Sequence, residues 1–142
     1  MGMSAGQSRR TVETLFAALE SGDLDLIPPL LANDVVEVIP FAPHGRPEPF
    51  GVFAGREAVL GYLGNIVRRF SKRVLIDRAI YVTDDGGTVF VEGKGDLIEA
   101  GTGKPHRNVY VFKFVFRDGQ IVHIAEYANP VTFAKLAGVP LG

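Results

Sequence analysis

The chain has 142 residues, enough for one domain that buries a core without covalent staples. Its 46% hydrophobic and 22% charged residues and net charge of −1 leave no basic footprint for nucleic acid or an anionic membrane. Cysteine is absent, which excludes disulfides and thiolate metal sites, and no apolar run reaches the ~18 residues that would cross a bilayer. Residues Met1 to Arg10 are polar and small, without the apolar stretch of a secretory signal, so the expected location is the cytoplasm.

Val12, Leu15, Phe16 and Leu19 recur at helical spacing, which predicts a first helix over Ser8 to Ser21 with Gly22 as its stop. Asp23 then opens a short second helix whose apolar positions are Leu24, Ile27, Leu30 and Leu31. Pro28 and Pro29 keep that helix short or irregular. Val35 to Ile39 is β-branched and apolar, a strand ended by Pro40. The proline-rich stretch Pro40 to Ala54 reads as a long loop, yet it carries Phe41, Phe50, Val52 and Phe53. That combination fits the rim of a functional site better than a solvated connection.

Val59, Leu60, Leu63, Ile66, Val67 and Phe70 mark a third helix over Gly55 to Phe70. Arg68, Arg69, Lys72 and Arg73 cluster at its C-terminal end, where cations suit the helix dipole. Four strands follow, over Arg73–Thr83, Thr88–Ile98, His106–Phe116 and Gln120–Ala128. Asp84-Asp85-Gly86-Gly87, Ala100-Gly101-Thr102-Gly103 and Asp118-Gly119 form the turns between them. The apolar tail allows one or two helical turns around Val131 to Ala137. Helices segregated from an antiparallel meander define an α+β fold in one domain spanning residues 1–142, with residues 1–7 expected as a flexible N-terminus.

The period of two sorts the strand faces. Phe90, Glu92, Lys94 and Asp96 share one face of their strand, and Val89, Val91, Gly93, Gly95 and Leu97 share the other. Alternating charges of this kind mark either a solvated or interface stripe or one wall of a polar site. Val122, Ile124, Glu126 and Ala128 share a face, so Glu126 is either a strand-end ion-pair partner or an acid inside an apolar chamber. An acid in such a chamber has a raised pKa and can hold or deliver a proton near neutrality. Asn108 and Tyr110 share a face with Phe112 and Phe114 and are candidate donors to a carbonyl oxygen. His44, His106 and His123 are too scattered for a metal site.

Three segments, Leu15-Phe16-Ala17-Ala18-Leu19-Glu20-Ser21-Gly22-Asp23, Leu31-Ala32-Asn33-Asp34-Val35 and Phe53-Ala54-Gly55-Arg56-Glu57-Ala58-Val59, resemble the nuclear-transport-factor-2-like superfamily. So does the ending Asp118-Gly119-Gln120-Ile121 through Glu126-Tyr127-Ala128-Asn129-Pro130. Within the superfamily the resemblance is to its SnoaL-like polyketide-cyclase-like and limonene-epoxide-hydrolase-like branch, and it covers about Ser8 to Leu141.

The resemblance implies a curved, mostly antiparallel sheet wrapped by three N-terminal helices into a cone. It also implies a pocket for a small apolar molecule and homodimers that pair through the sheet. Carried over residue by residue, the acid–base pair of the epoxide-hydrolase-like members falls on Asp96 and Glu126, and the cation bridging them on Lys94. The water-holding positions of those members fall on Val36 and Val38. The base and the tyrosine of ketosteroid isomerases fall on Ile39 and Leu15, so that enzyme is disfavoured. The expected catalytic set is therefore Glu126, Asp96 and Lys94, and the expected ligand contacts are Asn108, Tyr110, Phe16, Val38, Phe53 and Ile124. The reaction expected is cofactor-independent and metal-free acid–base chemistry on a small oxygenated molecule, or ligand binding or dimerisation without turnover.

Overall fold

A computed structural model of the chain describes residues 4–141. Helix α1 spans Ala5–Ser21. It starts earlier than its apolar stripe because Ser4 and Gln7 form a capping box, each side chain satisfying the other's backbone N–H. Of the N-terminal segment 1–7, Ser4 is the cap and residues 5–7 form the first turn of the helix, and residues 1–3 lie outside the described residues. Gly22, at φ 80°, closes the helix with its N–H on the carbonyl of Ala18.

The predicted second helix is instead two 3₁₀ turns, Leu24–Leu26 and Pro28–Leu30, because Pro28 and Pro29 cannot supply the backbone donors of an α-helix. Strand β1 then runs over Leu31–Ile39, and a short strand β2, Gly51–Ala54, lies inside the stretch expected to be loop. After it come helix α2 (Arg56–Arg69) and strands β3 (Phe70–Val82), β4 (Thr88–Glu99), β5 (Pro105–Arg117) and β6 (Gln120–Ala128). Helix α3 (Pro130–Ala137) follows, capped by Asn129. Two α-helices thus precede the meander, and the third follows it.

The six strands form one mixed, curved sheet in the order β2-β1-β6-β5-β4-β3. All neighbours are antiparallel except β1 and β6, which run parallel and put Glu37 opposite Ile124 and Val38 opposite Ala125. The register of β3 against β4 shifts between Ile76 and Ala79, where Asp77 adopts φ 54°. That bulge lets a long antiparallel ribbon coil. Farther along β4, Gly95 leaves room for a ring: a Cβ there would lie 2.5 Å from Cε2 of Tyr110.

Helix α1 lays Val12, Leu15 and Ala18 on the inner face of the sheet against Val89, Val91, Phe114 and Ile121, all buried. Arg73 joins the two helix ends. Its guanidinium donates to the carbonyls of Leu19 (2.6 Å) and Glu20 (3.2 Å) of α1, and to those of Val67 (3.2 Å) and Phe70 at the end of α2. One planar cation thereby satisfies carbonyls that neither helix can satisfy internally. Arg73 is thus a structural tie between the two helix ends.

Candidate active site

Between the inner face of the sheet, α1, α2 and α3 lies a cavity of about 410 Å³. Its wall is mainly aromatic and aliphatic. Phe16 packs edge-on to Phe112 and Phe114 (centroids 5.3 and 6.0 Å apart), and Phe53 stacks on Tyr62 at 4.3 Å. Of the expected ligand contacts, Phe16, Phe53, Asn108, Tyr110 and Ile124 line this cavity, and so does the expected acid Glu126.

Three expected residues do not. Val38 lies on the outer face of β1, because the parallel pairing with β6 turns its neighbours Glu37 and Ile39 inward. Lys94 and Asp96 lie on the outer face of β4, since Gly93, Gly95 and Leu97 occupy the inner face beside Leu75 and Tyr110. Lys94, whose side chain is 65% exposed, sits 3.6 Å from Asp77. Asp96 is held by Lys72 Nζ at 2.8 Å and lies 3.7 Å from Arg107, and the Lys72 hydrogen bond keeps its carboxyl below the usual range. The trio Glu126, Asp96 and Lys94 is therefore not assembled, and the charged stripe of β4 is an outer surface. His123, paired with Val36 and Val115, does not line the cavity either.

The partner of Glu126 is Glu37, whose residue is only 2% exposed. On the parallel β1/β6 pair, Glu126 is the next inward residue after Ile124, which faces Glu37 directly. The two carboxyls thus meet diagonally across neighbouring strands, within hydrogen-bonding reach. Tyr62 of α2 donates its hydroxyl to Glu126 Oε1 at 2.9 Å. One oxygen of Glu37 is buried without a hydrogen-bond partner among the described residues.

Burial raises both carboxyls. Glu126 is pushed up to about 7 by desolvation, against the opposing hydrogen bonds from Tyr62 and Glu37. Glu37 is held well above its ordinary value, first by desolvation and then by the charge of Glu126. The pair therefore holds a proton through neutrality, with Glu126 the member that ionises near pH 7, and both carboxyls line the cavity. Tyr110, on the adjacent wall, is raised by burial and by the charge of Glu126, so its hydroxyl stays protonated as a hydrogen-bond donor.

Asn108 is not available in the same way. Its amide donates to the carbonyl of Asn129 at 3.0 Å and accepts from the N–H of Asn129 and of Val109, which fixes the turn from β6 into α3.

Glu37 and Tyr62 are the residues that pattern reading missed. Both left a trace in the sequence. Glu37 is a lone charge inside the apolar run Val35-Val36-Glu37-Val38-Ile39. Tyr62 lies three residues after Val59 and four before Ile66, on the stripe of α2. Among the described residues no group of His, Asp and Glu could hold a metal ion, and no helix is long and apolar enough to cross a membrane.

Comparison with known proteins gives the chain a lineage. The protein YesE of Bacillus subtilis (strain 168), itself uncharacterized, is 26% identical over 128 residues, covering 90% of this chain and 85% of its own. A crystal structure of a candidate isomerase from Bacillus subtilis superposes with a TM-score of 0.81 at 24% identity, covering 99% of this chain and 100% of the other. A candidate polyketide cyclase from Xanthomonas campestris pv. campestris superposes with a TM-score of 0.77 at 22% identity, covering 95% and 98%. At these identities the superpositions establish the α+β fold. The SnoaL-like domain model matches residues 12–124, from the first buried valine of α1 to the inward isoleucine beside Glu126. The same fold is found in an NTF2-like protein from Burkholderia xenovorans LB400, with a TM-score of 0.74 at 22% identity, and on the domain match the chain belongs to the SnoaL-like domain family.

Proposed function

We propose that this protein is a cofactor-independent isomerase or cyclase that removes a proton from a carbon next to a carbonyl group of a small, largely apolar molecule. The observation that carries this reading is the Glu37–Glu126 pair. It is one carboxyl and one carboxylate in an apolar cavity, with the unshared hydroxyl of Tyr110 nearby. A carboxylate that titrates at about 7 is matched to proton abstraction at neutral pH.

In this mechanism Glu126 takes the proton and becomes the neutral acid. The electron pair of the broken C–H bond moves into the enolate, whose oxygen accepts a hydrogen bond from Tyr110. Glu37 supports the charge on Glu126 before the step and its proton afterwards. Return of the proton to a different carbon is an isomerisation. Attack of the enolate carbon on a second carbonyl of the same molecule is an aldol-type cyclisation, with the proton of Glu126 delivered to the new alkoxide. Because Asp96 and Lys94 face outward, the geometry does not favour hydrolysis through the trio the sequence had indicated.

The test is deuterium exchange at the α-carbon of 1-tetralone and of estrone in D₂O, followed by NMR. The wild type should exchange these protons faster than buffer. Glu126→Gln should lose roughly 10²- to 10⁴-fold of the protein-dependent rate. A wild type no faster than buffer, or an unchanged rate in Glu126→Gln, would leave the cavity as a binding site without turnover.

A further inference from the structure

The same cavity contains a second polar centre that proton abstraction does not use. His106, at the start of β5, is 4% exposed. Its ring stacks on Phe70 (5.7 Å, 17°) and meets Phe133 edge-on (6.4 Å, 74°). No polar group of the described residues hydrogen-bonds to either ring nitrogen, and those nitrogens are not among the side-chain atoms sealed inside the protein. Because the residue is hidden from bulk water yet lines the cavity, the polar edge of its imidazole opens into that cavity.

The other polar side chains near this end are already engaged. The amide of Asn108 clamps Asn129, and Arg69 is paired with Glu99 through two N–H groups at 3.2 Å while lying over the rings of Phe70 and Phe133. Burial and the charge of Arg69 depress the imidazole, so it is neutral at physiological pH and offers one N–H donor and one nitrogen acceptor. A buried polar group with no partner is costly, and a ligand that supplies one is selected over a ligand that cannot.

His106 and Glu126 are far apart on the same wall. Glu126 faces Phe112 across β5 and β6, and His106 lies six residues back from Phe112 on the same face. At ~3.3 Å per residue that is roughly 20 Å of strand, shortened in space by the curvature of the sheet. Asn108 and Tyr110 lie between them on β5, flanked by Gly95, Leu97 and Ala128 of the neighbouring strands.

We infer that His106 is a specificity-determining residue: it recognises a second, uncharged oxygen (a hydroxyl or ketone) at the far end of an elongated apolar substrate whose reacting carbonyl lies at Glu126. This rests on the proposed reaction for the placement of the carbonyl, but the recognition itself is a binding property and is read without turnover.

Three ketone pairs with increasing spacing between the ketone and the second oxygen serve as probes. They are 1-tetralone with 6-hydroxy-1-tetralone, flavanone with 4′-hydroxyflavanone, and 3-deoxyestrone with estrone. Affinities are measured by calorimetry or tryptophan-free ligand fluorescence. In the pair whose spacing fits, the wild type should bind the hydroxylated member about 5- to 20-fold tighter, the size of one buried hydrogen bond. His106→Phe, which keeps the stacking on Phe70, should bring that ratio close to one while leaving affinity for the parent ketone. His106→Gln, which keeps a donor, should restore part of it even if the Phe variant folds poorly. Glu126→Gln should keep the ratio, which separates failure of this inference from failure of the proposed reaction. No discrimination in any pair, no binding of any probe, or a ratio unchanged in both His106 variants would overturn the assignment.

Discussion

Replacing both cavity carboxyls, Glu37→Gln together with Glu126→Gln, should make the fold less sensitive to rising pH. A carboxyl whose folded pKa is raised binds its proton more tightly in the native state than in the unfolded chain. Its contribution is therefore most favourable below the unfolded value of 4.5, and it is lost as pH climbs through the folded value of about 7 for Glu126. For those two values the linkage gives about 2.5 kcal/mol of stability lost between pH 5 and pH 8, from Glu126 alone. Glu37 shifts in the same direction and adds to the loss.

His106, with a lowered pKa, acts in the opposite sense below 6.5, but it is present in both proteins and cancels in the comparison. The depressed carboxyls of Asp34, Asp85, Asp96 and Glu99 act below about pH 4.5, outside the window. Urea unfolding at pH 5, 6, 7 and 8 measures the effect. The wild type should weaken relative to the double variant by at least about 2 kcal/mol across that range, and the variant should be the more stable protein at pH 8. Parallel profiles, within about 0.5 kcal/mol, would mean the carboxyls are solvated and would refute the raised pair along with the chemistry built on it.

Gly95→Ala places a methyl group 2.5 Å from Tyr110 and 2.9 Å from Leu97, which should cost about 1–3 kcal/mol in urea unfolding. It should also displace the Tyr110 ring into the cavity and weaken binding of 1-tetralone; an unchanged midpoint would show that β4 relaxes freely. Asn108→Ala removes the clamp on Asn129 and should cost about 1–3 kcal/mol. Hydrogen exchange should then quicken selectively over Val131 to Ala137, and uniform protection would show that α3 is held by its apolar contacts alone.

Local chemistry made much of this architecture legible. The stripe Val12, Leu15, Phe16 and Leu19 marked α1, and Asp118-Gly119 marked the last hairpin, because helical period and turn stereochemistry operate over a few residues. The start of α1 was misplaced because its capping box lies outside the apolar stripe, and β2 was hidden by the prolines around it. Within the site, Glu126 was readable as an acid on an apolar strand face, as were Phe16, Phe53, Tyr110 and Ile124 as neighbours of a cavity.

What could not be read was which way a strand face turns. The period of two puts Glu92, Lys94 and Asp96 together but gives no sign of inside or outside. That was decided when Gly93 and Gly95 took the inner positions beneath Leu75 and Tyr110. Nor does any sequence interval relate Glu37 to Glu126. Only the parallel pairing of β1 with β6 brings them together, at the one crossover in the sheet order. The sequence by itself determined most of the elements, the family and one acid. The tertiary structure decided that acid's partner, because a proton shared between two buried carboxyls depends on proximity and desolvation, which arise only when distant strands are packed side by side.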